Sequence, residues 1–355
     1  TQGGLFLFLL AAVLFTASNL LTPYLLHRMI GSEEVYRATM SYLDWRVYGF
    51  FFSFIAVMFR AFYVSTTNTK ILTANSVVMV LTNVVLNYIL IFGKFGFPAL
   101  GIAGAAIASS ISEAVSVLFF VIYTWKKIDY KKYGLFRFTR VDFRMLGQIL
   151  SVSIWVMIQH GIAFGGWFIF FIAMEHLGER PLAITNVVRS ISSFLFMFVN
   201  AFASTNSSLV SNLIGAGESD RVLPLCRRMI GLCYAFVLPI GILIAMFPST
   251  VLRIYTDNPD LIASSIPSLW VMLSSYLFAV PGFIYFFSVS GTGNTRRALE
   301  IDMASIFVYV LYILYVAVWL RADVAVCWTT EYVYNIMILS SFFYLWKGNW
   351  RNKKI

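Results

Sequence analysis

The 355 residues are 60% hydrophobic and only 12% charged, with a mean hydropathy of +0.81. Soluble domains carry about 25% charged residues, so this charge density cannot coat a globule in water, and such apolar content excludes a disordered chain. The composition describes an all-α integral membrane protein. The net charge of +10 would by itself suit a nucleic-acid partner, but its placement along the chain marks topology instead.

A helix needs about 20 apolar residues to cross the hydrocarbon core. Stretches free of Asp, Glu, Lys and Arg that meet this run over 1–27, 71–93, 145–174, 190–217, 229–252 and 261–295. Four more, around 47–66, 101–124, 303–320 and 327–346, are shorter or carry one charge. Ten spans are therefore predicted. Tyr24, Tyr123, Trp125, Tyr255, Trp319 and Trp346 fall near span ends, where aromatic anchors sit at the membrane interface. Cys226, Cys233 and Cys327 are too few and too scattered for a disulfide framework or a thiolate metal site.

Basic residues separate by side. Lys126, Lys127, Lys131, Lys132, Arg137, Arg140 and Arg144 crowd one loop. Arg221, Arg227, Arg228, Arg296, Arg297 and the terminal Lys347, Arg351, Lys353 and Lys354 fall on the same side. The opposite side holds Arg28, Arg37, Arg46, Lys94, Arg180, Arg253 and Arg321. The positive-inside rule then puts both termini in the cytoplasm of a multi-pass protein of the cell (inner) membrane. The basic loop divides the chain into an N-terminal lobe over 1–126, a cytoplasmic linker over 127–144 and a C-terminal lobe over 145–355.

The two lobes carry traces of a repeat. Thr-x-Asn-Thr followed by a basic residue occurs at Thr66–Lys70 and at Thr292–Arg296. Tyr88-Ile89-Leu90 is matched by Tyr312-Ile313-Leu314, and Trp125-Lys126 by Trp346-Lys347, in the same order and at nearly one offset. Internal repeats mark secondary transporters. Two like-oriented copies predict a pseudo-two-fold axis along the membrane normal. The C-terminal lobe has six predicted spans and the N-terminal lobe four, so the repeat predicts two further spans before Thr1 and a twelve-helix, two-bundle transporter.

Asn83 and Asn87 lie four apart and share one helix face. An intramembrane polar pair is either part of a site or interhelical hydrogen-bond glue worth about 1 kcal/mol per contact. Glu113 is the clearest acid deep in a span; it either exchanges a proton from a cavity or is paired with a neighbouring polar group. Glu331 opens the last span and falls either in the cavity or among the headgroups. Gln159 and His160 interrupt the fifth span, and a membrane histidine is either a titrating group or a packing element. Asn186 and Arg189, one turn apart, either receive an anionic group or tie two helices together.

The run Asn83–Pro98 followed by Gly101-Ile-Ala-Gly-Ala-Ala-Ile-Ala-Ser109 resembles the multidrug and toxic compound extrusion (MATE) family, as do Ser207–Gly217 and Gly291-Thr-Gly-Asn-Thr-Arg296. The resemblance covers the whole chain, from the family's third helix to its twelfth. It implies two lobes rocking about a central cavity, with Na⁺ or H⁺ entering as small organic compounds, lipophilic cations among them, leave. It implies no other cofactor and a working monomer. The resemblance also implies a cation site at Asn83, Asn87 and Ser109, where Asn87 stands in place of the family's aspartate, with Glu113 one turn further on. Gln159, His160, Asn186 and Arg189 are the matching candidates for the substrate cavity. Elsewhere in the family an acid stands near Gln159 and another on the tenth helix; here the second place holds apolar residues such as Ala279.

Two rival readings are weighed against this one. A flippase for lipid-linked saccharides, from the same wider superfamily, requires several cationic side chains in its cavity, whereas Arg189 is the chief one in the sequence. A membrane-embedded enzyme requires a catalytic motif, and no His-Glu-x-x-His, P-loop or Gly-x-Ser-x-Gly is present; the histidines His27, His160 and His176 are too scattered for a metal site.

Overall fold

The computed structural model describes residues 2–29, 33–66, 68–128, 143–348 and 350. Every regular element among the described residues is helical. The basic linker expected over 127–144 lies, for residues 129–142, outside the described residues. By Cα packing the chain divides into two compact units, Thr1–Leu146 and Gly147–Ile355.

The first unit is built from α1 (Gln2–Met29), α2 (Glu33–Arg46), α3 (Gly49–Ser65), α4 (Lys70–Phe92) and α5 (Gly101–Lys127). α2 and α3 meet at a 50° bend and are long and apolar enough to make one span only when taken together. The break frees the carbonyl of Trp45, and Ser110 Oγ on α5 donates to it at 3.1 Å. Lipid reverses the usual amphipathic pattern. Along α4, Val77, Leu81, Val84, Tyr88 and Phe92 are exposed, while its asparagines turn towards α5. Asn75 Nδ2 donates to Ser116 Oγ at 2.8 Å. The Gly-x-x-Gly-Ala-Ala-x-Ala segment shows why its residues are small: a Cβ on Gly104 would sit 2.6 Å from the Leu90 carbonyl oxygen. At that crossing the backbones of α4 and α5 touch. Lower down, Phe59, Tyr63, Ile71 and Phe120 form a small buried cluster, and the Tyr63 and Thr124 hydroxyls bond at 2.6 Å.

The second unit holds most of α6 (Phe143–Leu177), then α7 (Glu179–Gly215), α8 (Val222–Met246), the short α9 (Pro248–Leu252), α10 (Pro259–Gly291), α11 (Thr295–Ile313), α12 (Val324–Cys327), α13 (Thr330–Leu339) and α14 (Ser341–Lys347). α10 is the central helix. Its buried residues run around most of its circumference, as expected of a helix enclosed on all sides, and it packs on α7, α8, α11, α13 and α14. Pro281 inside α10 has no N–H to give the Leu277 carbonyl. Tyr234 on α8 supplies the missing donor, its hydroxyl 2.5 Å from Leu277 O, and the helix continues through the proline.

Among the described residues, eight helices are long and apolar enough to span a membrane, or nine if the bent α2–α3 pair counts as one. The tenth predicted span, 327–346, is instead the succession α12–α14. Tight i→i+3 bonds interrupt it at Thr329 N to Val326 O (3.1 Å) and Ser340 N to Met337 O (3.1 Å). The Thr329 and Thr330 hydroxyls bond back to the Val326 and Cys327 carbonyls at 2.5 and 2.6 Å, which offers the backbone an alternative to a regular ladder.

Candidate functional site

In the first unit, the structure brings three of the four predicted cation ligands together. Asn83 Nδ2 faces Ser109 Oγ at 3.3 Å and Ser112 Oγ at 3.4 Å, and Asn87 Nδ2 donates to Asn83 Oδ1 at 2.9 Å. The antiparallel crossing of α4 and α5 produces this network, because Asn83 sits opposite the 109–112 turn. Its amides are largely occupied by one another; the Asn87 Oδ1 atom alone is buried without a partner. Glu113 is directed elsewhere. Its carboxylate receives both Arg46 nitrogens, Nη1 to Oε2 at 2.9 Å and Nη2 to Oε1 at 2.7 Å. This two-pronged pair closes the bend between α2 and α3. A Cβ on Gly49 would lie 2.1 Å from Arg46 Nη1 and 2.6 Å from Glu113 Oε2, so only glycine leaves the pair its room. Arg46, assigned from sequence to an outer loop, ends a helix inside the fold.

The second unit contains a cavity of about 270 Å³. α6 contributes Gln159, His160, Phe164 and Trp167; α7 contributes Ser192, Phe196 and Asn200. From α10 come Tyr276, Phe283 and Phe287, from α11 Asp302, Ile306 and Tyr309, and from α13 Glu331, Tyr334 and Asn335. Helical spacing aligns each set on one face: Asp302, Ile306 and Tyr309 at i, i+4 and i+7, and Glu331, Tyr334 and Asn335 at i, i+3 and i+4. Tyr334 Oη donates to Asp302 Oδ1 at 2.9 Å. Tyr276 Oη donates to the Ser192 carbonyl at 2.7 Å, which pins α10 to α7 beside the cavity. Among the described residues, no lysine or arginine lines this cavity, and no ion pair involves Asp302 or Glu331.

Gln159 and His160 stand in the wall of this cavity. Asn186 and Arg189 do not line it. Arg189 lies with its Cζ 4.3 Å from the centroid of the Phe171 ring, a cation–π contact between α7 and α6.

Comparison with known proteins bears on this architecture. The MatE family model matches residues 1–89 and 162–318. The chain belongs to the MatE family. It is 29% identical over 239 residues to a Thermotoga maritima protein described as probable multidrug resistance protein NorM, covering 66% of this chain and 50% of that protein. It is 26% identical over 275 residues to the Bacillus subtilis probable multidrug resistance protein YoeA, covering 77% of this chain and 59% of that protein. The chain therefore spans between half and three fifths of the length of these relatives. A solved MOP superfamily transporter from Pyrococcus furiosus superimposes with a TM-score of 0.86 at 16% identity, covering 97% of this chain and 77% of that one; at this identity the likeness is one of fold. The MatE neighbours are twelve-helix transporters, and family members are transporters rather than enzymes.

In this MatE chain the sequence reading passed over Asp302 and left Glu331 between cavity and headgroup region. Asp302 was cut off because a charge-free window begins after it. A signal was present: Asp302 is in register with Ile306 and Tyr309, and Glu331 with Tyr334 and Asn335, so each acid heads a polar and aromatic stripe.

Proposed function

We propose that this protein exports small organic compounds across the cell membrane in exchange for Na⁺ or H⁺, by alternating access of two lobes within one chain. The observation that carries the reading is the cavity of the second unit, lined by aromatic rings and by two carboxyl groups that have no arginine or lysine partner among the described residues. A buried carboxylate is costly unless paired, and intramembrane ionisable groups mark ion and substrate pathways. Here the carboxyls either keep a proton or take up a cation, and either suits ion-coupled exchange. Lipophilic organic cations fit such a lining, since the faces of Trp167, Phe196 and Phe283 attract positive charge while the carboxyls neutralise it.

A flippase for anionic lipid-linked saccharides is disfavoured, because its cavity needs cationic side chains. The basic asymmetry of the loops supports an inner-membrane protein with both termini in the cytoplasm. The test is efflux of a fluorescent cationic dye from proteoliposomes carrying the complete protein. Extrusion driven by an inward Na⁺ or proton gradient is expected; no extrusion under either gradient refutes the reading.

A further inference from the structure

We propose that a groove at one end of the second unit, formed by the start of α10 and the turn before it, binds the headgroup of phosphatidylethanolamine, a zwitterionic phospholipid of the surrounding bilayer. The inference is independent of the efflux reading and concerns residues that reading leaves idle. It needs only a chain embedded in lipid. The groove, of about 500 Å³, is lined by Arg253 and Asp257 and by Pro259, Ile262, Ala263 and Ile266 among others. The last four lie at i, i+3, i+4 and i+7 of α10, so one mostly apolar helix face forms its wall.

Three observations point to the ligand. The first is charge. Arg253 and Asp257 line the same groove, yet neither joins an ion pair among the described residues. Both are exposed, and an exposed pair is worth only about 0–1 kcal/mol, so both charges are available to a ligand. One positive and one negative group held apart complement a molecule that carries both signs. A simple anion is repelled by Asp257 and a simple cation by Arg253. The second is the apolar wall. Ile262, Ala263 and Ile266 offer nothing to a free ion, but they match the glycerol and upper acyl carbons behind a lipid phosphate. The third is depth. α10 runs for 33 residues, where about 20 cross the hydrocarbon core, which leaves length for the headgroup region. Tyr255 lies between the two charged residues in sequence and Trp270 one turn beyond Ile266, and both are exposed. The Trp270 indole N–H donates to the Ala245 carbonyl of α8 at 3.4 Å. Such aromatics mark the boundary between hydrocarbon and headgroups.

The chemistry selects among phospholipids. The Arg253 guanidinium is a planar fork that can donate to two phosphate oxygens at once. The Asp257 carboxylate accepts hydrogen bonds, which a primary ammonium donates and a quaternary choline cannot. Phosphatidylglycerol brings the phosphate without the ammonium, and its net negative charge falls beside Asp257. The N-terminus of α10 does not compete for the phosphate, because Asn258 Oδ1 already accepts from the amides of Asp260 and Leu261 at 3.0 and 3.3 Å.

The test is native mass spectrometry of the complete protein in detergent, titrated with dioleoyl phosphatidylethanolamine, phosphatidylcholine or phosphatidylglycerol, reading the dissociation constant of the first lipid retained. The wild type should hold phosphatidylethanolamine at least fivefold more tightly than either of the others. D257N should erase this preference and admit phosphatidylglycerol, while R253Q should weaken all three lipids several-fold. Both side chains are exposed, so neither change strips the core, and gel filtration checks that each variant stays monodisperse. A263W, which fills the groove and keeps both charges, should lose the preference as well. The proposal is overturned if the wild type holds the three lipids equally, if D257N keeps the preference, or if R253Q binds phosphatidylethanolamine as the wild type does. It is also overturned if free phosphoethanolamine displaces the lipid at equal concentration, which would assign the groove to a soluble phosphate ester.

Discussion

The Arg46–Glu113 pair can be tested by removing one charge at a time. In the E113Q variant the guanidinium keeps its place but loses its countercharge. Breaking a fully buried pair costs about 3–5 kcal/mol, and an exposed pair is worth about 0–1 kcal/mol. The side chains here are 27% and 17% exposed, and both prongs are short, at 2.9 and 2.7 Å. The loss should therefore fall between these limits, at about 2–3 kcal/mol. At about 2–4 °C per kcal/mol for a unit of this size, the apparent melting midpoint should drop by about 4–12 °C. The assay is thermal unfolding of the complete protein in detergent at one scan rate, for wild type, E113Q, R46M and the R46M/E113M double variant. A shared interaction makes the double variant lose less than the two single losses added together, because it strands no charge. If E113Q melts with the wild type yet abolishes dye efflux, Glu113 is a proton carrier and the structural reading of the pair is wrong. If the single losses simply add, the two residues do not act on each other.

Other outcomes follow from neighbouring contacts. G49A pushes on the flexible Arg46 and Glu113 side-chain ends, so it should cost less than E113Q, which strands a charge, and add little on top of it in a double variant, read from the same melts. G104V places side-chain atoms against the α4 backbone at Leu90; overpacking of this kind costs about 1–3 kcal/mol, visible as a lower melting midpoint that suppressor substitutions on α5 do not restore. Y234F leaves the Leu277 carbonyl without the donor that Pro281 cannot supply, at about 1 kcal/mol, and hydrogen exchange should quicken around residues 277–282 with the rest of α10 unchanged. N83L removes the bonds to Ser109, Ser112 and Asn87. If these are helix-to-helix ties, it lowers stability by about 1–2 kcal/mol while dye efflux keeps its dependence on the driving ion.

Membrane spans are legible in sequence because lipid demands an unbroken apolar surface, and a run such as 71–93 or 261–295 has no soluble explanation. The Asn83–Ser109 contact was also legible, since polar residues on two consecutive spans have few partners other than each other. What the sequence hid is what depends on register between distant helices. Glu113 is 67 positions from Arg46, and nothing local to either residue announces a bidentate pair. The bend between α2 and α3 has one local signal, Gly49, but the contacts that fix it are distant in sequence: Ser110 bonds the freed Trp45 carbonyl from outside. Asp302 was lost to a rule rather than to physics. A window that forbids charge ends where the first carboxylate appears, yet that carboxylate is 2% exposed.

The distribution of charge partners separates the roles of the two units. The first unit neutralises its deep acid internally: Glu113 has a guanidinium on both oxygens, and its asparagines spend their amides on each other and on serines. Among the described residues, the second unit leaves two cavity carboxyls without a basic neighbour, Asp302 keeping the Tyr334 hydroxyl, while buried amide oxygens without a donor occur in both units. Its large apolar core, built around α10, holds these groups in place. The carboxyls on which the proposed efflux rests lie in the second unit, while the first unit's deep acid is held by its own ion pair.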